Sequence, residues 1–144
     1  MPLLQSGELS GKSREILDAT QAKIRMVPNL YRALAASPAA LQGYVQLAET
    51  LNAGVLPAKT RESLAVAIAE ANRCEYCLSA HTAIGRMVGL TEESLHQARN
   101  GHAEDAKLEA ILGLARKMVL RRGQPERGDF EAARDAGVTD AEFA

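Results

Sequence analysis

The chain reads as all-helical, and three features say so: it is rich in Ala and Leu, it has no Trp, and it contains no run of alternating β-branched residues bounded by turns. Residues 1–12 read as an irregular lead-in, followed by a first helix over about 13–25 that Val27-Pro28-Asn29 stops, because the residue before a proline is pushed out of the α region. A short helix is expected at 29–36. Ser37-Pro38 supplies an N-cap and a first-turn proline for a helix running to Asn52-Ala53-Gly54. Pro57 opens the next, which carries Leu64, Val66, Ala67, Ile68 and Ala69 and is apolar over so much of its circumference that it is predicted to be the buried central helix.

A very short break at Asn72-Arg73 leads into a cysteine-bearing helix over about 74–88, closed by Gly89. Thr91-Glu92-Glu93-Ser94 caps a short helix ending at Asn100-Gly101. Glu104 to Arg121 follows as a long helix with Leu108, Ile111, Leu112, Ala115 and Val119 on its apolar stripe. After Gly123-Gln124-Pro125 comes a helix over about 127–136 ending at Gly137. Thr139-Asp140-Ala141-Glu142 then has the capping-box pattern of a further helix start, expected to be cut short or disordered because so little helix body follows it.

A length of 144 residues fits one domain with a hydrophobic core of its own. Seventeen Lys and Arg against eighteen Asp and Glu leave a net charge of −1, and the basic residues are scattered, so neither nucleic acid nor an anionic membrane is an expected partner. Met1-Pro2-Leu3-Leu4-Gln5-Ser6-Gly7-Glu8 has no basic start with an apolar run behind it, and charge interrupts every apolar stretch well before the ~20 residues a bilayer span needs. A soluble, cytoplasmic protein is the expectation.

The two cysteines, Cys74 and Cys77, sit three apart. A disulfide between them closes too small a loop to constrain the unfolded chain much, so the pair reads as redox-active or metal-binding rather than as a staple. On a helix advancing about 100° per residue, Cys74, Cys77 and His81 fall within roughly 60° of one another. Cys77 and His81 are one turn apart, where an imidazole can hold or remove a thiol proton. Cys74, in the first turn, is placed where unpaired backbone N–H groups favour a thiolate. The break at Asn72-Arg73 turns the preceding helix back antiparallel. At 1.5 Å per residue Glu62 then lies on the order of 16 Å back and His81 on the order of 12 Å forward, nearly level. A carboxylate beside an imidazole that adjoins a thiol is an acid–base relay.

Glu62, eleven residues, Cys74-Glu75-Tyr76-Cys77, three residues and His81 together resemble the alkylhydroperoxidase D signature of the carboxymuconolactone decarboxylase superfamily. The likeness extends over about 25–144 through Val27-Pro28-Asn29-Leu30, the Ser37-Pro38 helix start and Glu62-Ser63-Leu64. It implies an AhpD-like helical bundle that assembles into trimers or hexamers, and peroxide reduction in which Cys77 attacks the hydroperoxide and Cys74 resolves the sulfenic acid as a disulfide. A thiol or dihydrolipoyl-type electron donor is implied, with no cofactor. Tyr76 stands where the best-known member has a histidine, which removes a second imidazole contribution; members with Cys-x-Tyr-Cys are usually called peroxidase-related. The lactone decarboxylase branch lacks the cysteine pair, which argues against decarboxylation here.

The alternative is a non-catalytic redox-sensing or zinc-binding helical module. Zinc wants four ligands, and His81 is the nearest third; His96 and His102 lie in other segments and read as surface histidines, so no metal is expected. Tyr76 points about 200° from Cys74 and is expected to pack against a neighbouring helix or subunit. Glu70 is either a second buried acid or a polar-face residue. Met26, Met87 and Met118 are expected in core or interface positions. So Ala- and Leu-rich a bundle is expected to expose apolar faces that an oligomer covers.

Overall fold

Ser37 takes an extended backbone conformation and its hydroxyl accepts from the Ala40 N–H at 3.3 Å, with Pro38 in the first turn behind it. The helix starts are written locally in this way along the chain. The computed structural model describes residues 3, 4, 6–9 and 11–144. Among the described residues there is no strand, and the helices are α1 (Gly11–Ile24), α2 (Asn29–Leu34), α3 (Pro38–Asn52), α4 (Ala58–Ala71), α5 (Glu75–Met87), α6 (Glu92–Asn100), α7 (Ala106–Leu120), α8 (Arg127–Asp135) and α9 (Asp140–Phe143). The all-helical expectation holds.

The expected lead-in differs in detail. Residues 1, 2, 5 and 10 lie outside the described residues, Ser6–Glu8 form a single 3₁₀ turn, and α1 already begins at Gly11. What anchors this early start is Ser13, buried, whose hydroxyl donates to the Ala35 carbonyl at 2.8 Å.

The chain forms two compact units, one ending at Gly54 and one running over Val55–Ala144. In the first, α1 and α2 pack on α3 around Leu17, Val27, Ala35 and Leu41. Tyr31 and Tyr44 meet edge to face at 5.7 Å. In the second, α4 is the central helix, packed by α5, α6 and α7. Its buried residues are Ser63, Val66, Ala67 and Ala69, small or β-branched side chains that let three helices approach closely. Val66 and Ala67 form one core with Leu95, Ala98 and Leu112; burying a side chain the size of Leu112 contributes about 1.5–3 kcal/mol.

Of the two alternatives for the last turn of chain, disorder falls away, since Asp140–Phe143 form a helix. Thr139 and Glu142 make the reciprocal capping box, and Phe143 packs edge to face on Phe130 of α8 at 5.7 Å. Lys107 of α7 pairs with Glu142 at 2.8 Å. Tertiary contacts hold a helix too short to persist alone. Met26, Met87 and Met118 are exposed, which removes the core alternative for all three.

Candidate active site

The junction between α4 and α5 is built from the backbone outward. Arg73 adopts φ 55, the left-handed conformation that usually ends a helix on glycine. Its N–H donates to the Glu70 carbonyl at 3.0 Å, and the N–H of Cys74 reaches back to the Ala69 carbonyl at 2.9 Å. These two bonds close α4 in a Schellman motif. Cys74 therefore ends one helix and begins the next: it is the N-cap of α5, and its sulfur accepts from the Cys77 N–H at 3.3 Å. The expected first-turn place for Cys74 is in detail the cap position, where a sulfur faces the orphan N–H groups of the helix start.

With so tight a turn, α5 runs back along α4. Cys74 and Cys77 are joined in a disulfide, with Cα atoms 5.3 Å apart. Four residues on, the His81 Nδ1–H donates to Glu62 Oε2 at 2.8 Å. An ionised carboxylate can only accept, so this bond keeps the Nδ1 proton in place and leaves Nε2 as the basic nitrogen. Glu62 is 17% and His81 37% exposed at the side chain, so the carboxylate is sheltered and the imidazole reaches solvent. The levels estimated for these residues from helix rise are thus matched by a hydrogen bond across 19 positions of sequence. Cys74 stands at the α4–α5 turn, Cys77 and His81 follow it along α5, and Glu62, early in α4, meets His81.

The remaining candidates disperse. His96 and His102 are exposed on and after α6. Glu70 is paired with Arg99 at 2.8 Å and is partly exposed, so the buried-acid alternative falls away. Tyr76, on α5, is 47% exposed. Among the described residues, no three His, Cys, Asp or Glu side chains gather as a set that could hold a metal ion.

One part of the site gave no signal in the sequence. A cavity of about 270 Å³ opens at the α4–α5 turn, lined by Cys74, Arg73, Glu75, Leu78 and the Glu70–Arg99 pair. Its walls come from α4, α5 and α6, and only the packing of all three brings them together.

The whole arrangement, a helical cysteine pair with a carboxylate–imidazole couple one turn on, lies within residues 38–121, which match the model of the carboxymuconolactone decarboxylase family. The chain belongs to that family. No curated protein matches the chain. Among solved structures it is similar to an alkylhydroperoxidase AhpD core, an uncharacterized peroxidase-related protein from Ralstonia eutropha JMP134. The TM-score is 0.85 at 28% identity, covering 99% of this chain and 78% of the other. It is also similar to an uncharacterized peroxidase-related protein from Silicibacter sp. TM1040, with a TM-score of 0.83 at 26% identity, covering 99% of this chain and 76% of that one. The resemblance carried by Glu62, Cys74, Cys77 and His81 is borne out at the level of family and fold.

Proposed function

We propose that this member of the carboxymuconolactone decarboxylase family is a thiol-dependent peroxidase of the alkyl hydroperoxide reductase type. The supporting observation is a disulfide-forming pair, Cys74 and Cys77, one turn before a histidine whose Nδ1 proton is held by Glu62. The peroxidase-related names of both structural neighbours favour the same reading.

In the proposed cycle the Cys77 thiolate attacks the hydroperoxide, the O–O bond breaks, and the leaving alkoxide takes a proton to become an alcohol. Cys77 is left as a sulfenic acid. The Cys74 thiolate then attacks that sulfur, forming the disulfide and expelling hydroxide, which takes a proton to become water. His81 acts through Nε2, removing the Cys77 thiol proton and returning it to the departing oxygen, while Glu62 stabilises the imidazolium between the two steps. A thiol or dithiol donor restores the pair.

Mass spectrometry of the reduced protein before and after titration with hydroperoxide tests this. A Cys74–Cys77 disulfide should accumulate in proportion to peroxide. Thiols that stay inert would count against the enzyme, and stoichiometric zinc in protein purified without chelator would favour the binding module instead.

A further inference from the structure

The cavity at the α4–α5 turn reaches Cys74, while Cys77, His81 and Glu62 do not line it. A molecule entering from this side therefore meets Cys74 and not Cys77. Four charged side chains line the cavity: Glu70, Arg73, Glu75 and Arg99. Glu70 and Arg99 neutralise one another at 2.8 Å. That leaves Arg73 and Glu75, on either side of Cys74 in the chain, with no ion-pair partner among the described residues. The backbone holds them there: Arg73 is the left-handed residue of the Schellman turn, and Glu75 opens α5. A cation and an anion thus line the same cavity as Cys74.

We propose that this cavity docks a small zwitterionic thiol, an amino-acid thiol whose carboxylate meets Arg73 and whose ammonium meets Glu75, and delivers its sulfur to Cys74. The proposal rests on the redox reading of the pair and adds the chemical class of the reductant. The thiolate attacks Cys74 Sγ, the Cys74–Cys77 bond breaks, and a mixed disulfide forms on Cys74. Cys77 leaves as a thiolate and takes a proton. A second thiolate attacks the reductant's sulfur in the mixed disulfide, releasing Cys74 and a disulfide of the two thiols, so two electrons pass to the protein. Arg73 and Glu75 are positioning residues in this step.

Four cysteine derivatives separate the two charges: free cysteine, its ethyl ester (no carboxylate), N-acetylcysteine (no ammonium) and N-acetylcysteine amide (neither). Each is reacted with the isolated disulfide form, and the rate per thiolate is divided by that thiol's rate per thiolate on a small uncharged disulfide, so that both its acidity and its intrinsic nucleophilicity cancel. An exposed charge pair is worth a few-fold, so free cysteine should outrun the amide by roughly tenfold, with the singly blocked forms between. Arg73→Asn, which tolerates the left-handed backbone, should erase the difference between cysteine and its ester. Arg73→Lys should restore part of it, and Glu75→Gln should erase the difference between cysteine and N-acetylcysteine. Rapid alkylation followed by mass spectrometry should find the mixed disulfide on Cys74. Equal rates for all four thiols, or a mixed disulfide on Cys77, would overturn the proposal, as would a neutral dithiol such as dihydrolipoamide exceeding cysteine per thiolate in a manner indifferent to Arg73 and Glu75. Failure of the peroxidase reading is a separate result, seen as reduced thiols that do not respond to hydroperoxide.

Discussion

At the residue scale the proposed chemistry divides among four side chains, and each division can be read in a variant. Cys77→Ser should abolish reaction with hydroperoxide, whereas Cys74→Ser should complete one turnover and stall as a sulfenic acid, detectable by dimedone labelling, since the resolving thiol is gone. Equal loss of the first step in both variants would show the roles to be wrongly assigned. Glu62→Gln keeps the shape of the side chain but cannot stabilise an imidazolium as a carboxylate does. It should fold normally and lose ~10²-fold in the rate of thiol oxidation near neutral pH. The loss should shrink as pH approaches the free thiol pKa of ~8.5, where the thiolate forms without help. A normal oxidation rate with a sharply lowered melting temperature would instead make the Glu62–His81 bond a structural one.

At the scale of elements, helix ends and one helix interior make opposite demands on glycine. Gly101 closes α6 at φ 80, and a Cβ there would lie 2.5 Å from Arg116 Cδ, so Gly101→Ala meets both strain and crowding. Gly113 sits inside α7 with nothing within 4 Å of an added Cβ. Thermal denaturation should show Gly101→Ala destabilising by about 1–3 kcal/mol and Gly113→Ala stabilising by about 0.5–1 kcal/mol. The reverse order would mean that neither site is controlled by backbone conformation. The short α9 has a different dependence. Lys107 and the Thr139 N–H and hydroxyl hold the Glu142 carboxyl at about 2, below its ordinary 4.5. A carboxyl depressed on folding stabilises above its unfolded value and loses that contribution as pH falls through the folded one. The Phe143–Phe130 contact, followed by aromatic NMR shifts, should therefore persist above pH 4.5 and release as pH falls toward 2. Lys107→Gln should move the release to higher pH.

At the scale of the whole molecule, apolar side chains remain at the surface in rows rather than singly. Tyr76 and Met87 share one side of α5, and Leu47 and Leu51 follow one another along α3, each more than 40% exposed. Exposed apolar side chains repeated on one side of a helix suit a surface that associates. We therefore expect a homo-oligomer, trimer or hexamer by the family resemblance, and a monomeric mass in multi-angle light scattering would defeat this. No helix among the described residues is long and apolar enough to cross a membrane.

What the sequence determined was everything that depends on neighbours within a turn or two. The α3 start at Ser37-Pro38, the helix cap at Thr91, the capping box at Thr139, and the shared face of Cys74, Cys77 and His81 were legible because each is set by residue type at fixed helical spacing. Glu62 was legible at longer range only because the break at Asn72-Arg73 is so short that helix rise alone fixes the levels. The tertiary structure decided the rest. The Glu70–Arg99 pair and the cavity beside Cys74 leave no local trace, since they arise where α4, α5 and α6 meet. The order of α9 is likewise a matter of packing: four residues are too few for a helix in water, and Phe143 against Phe130 supplies what propensity lacks.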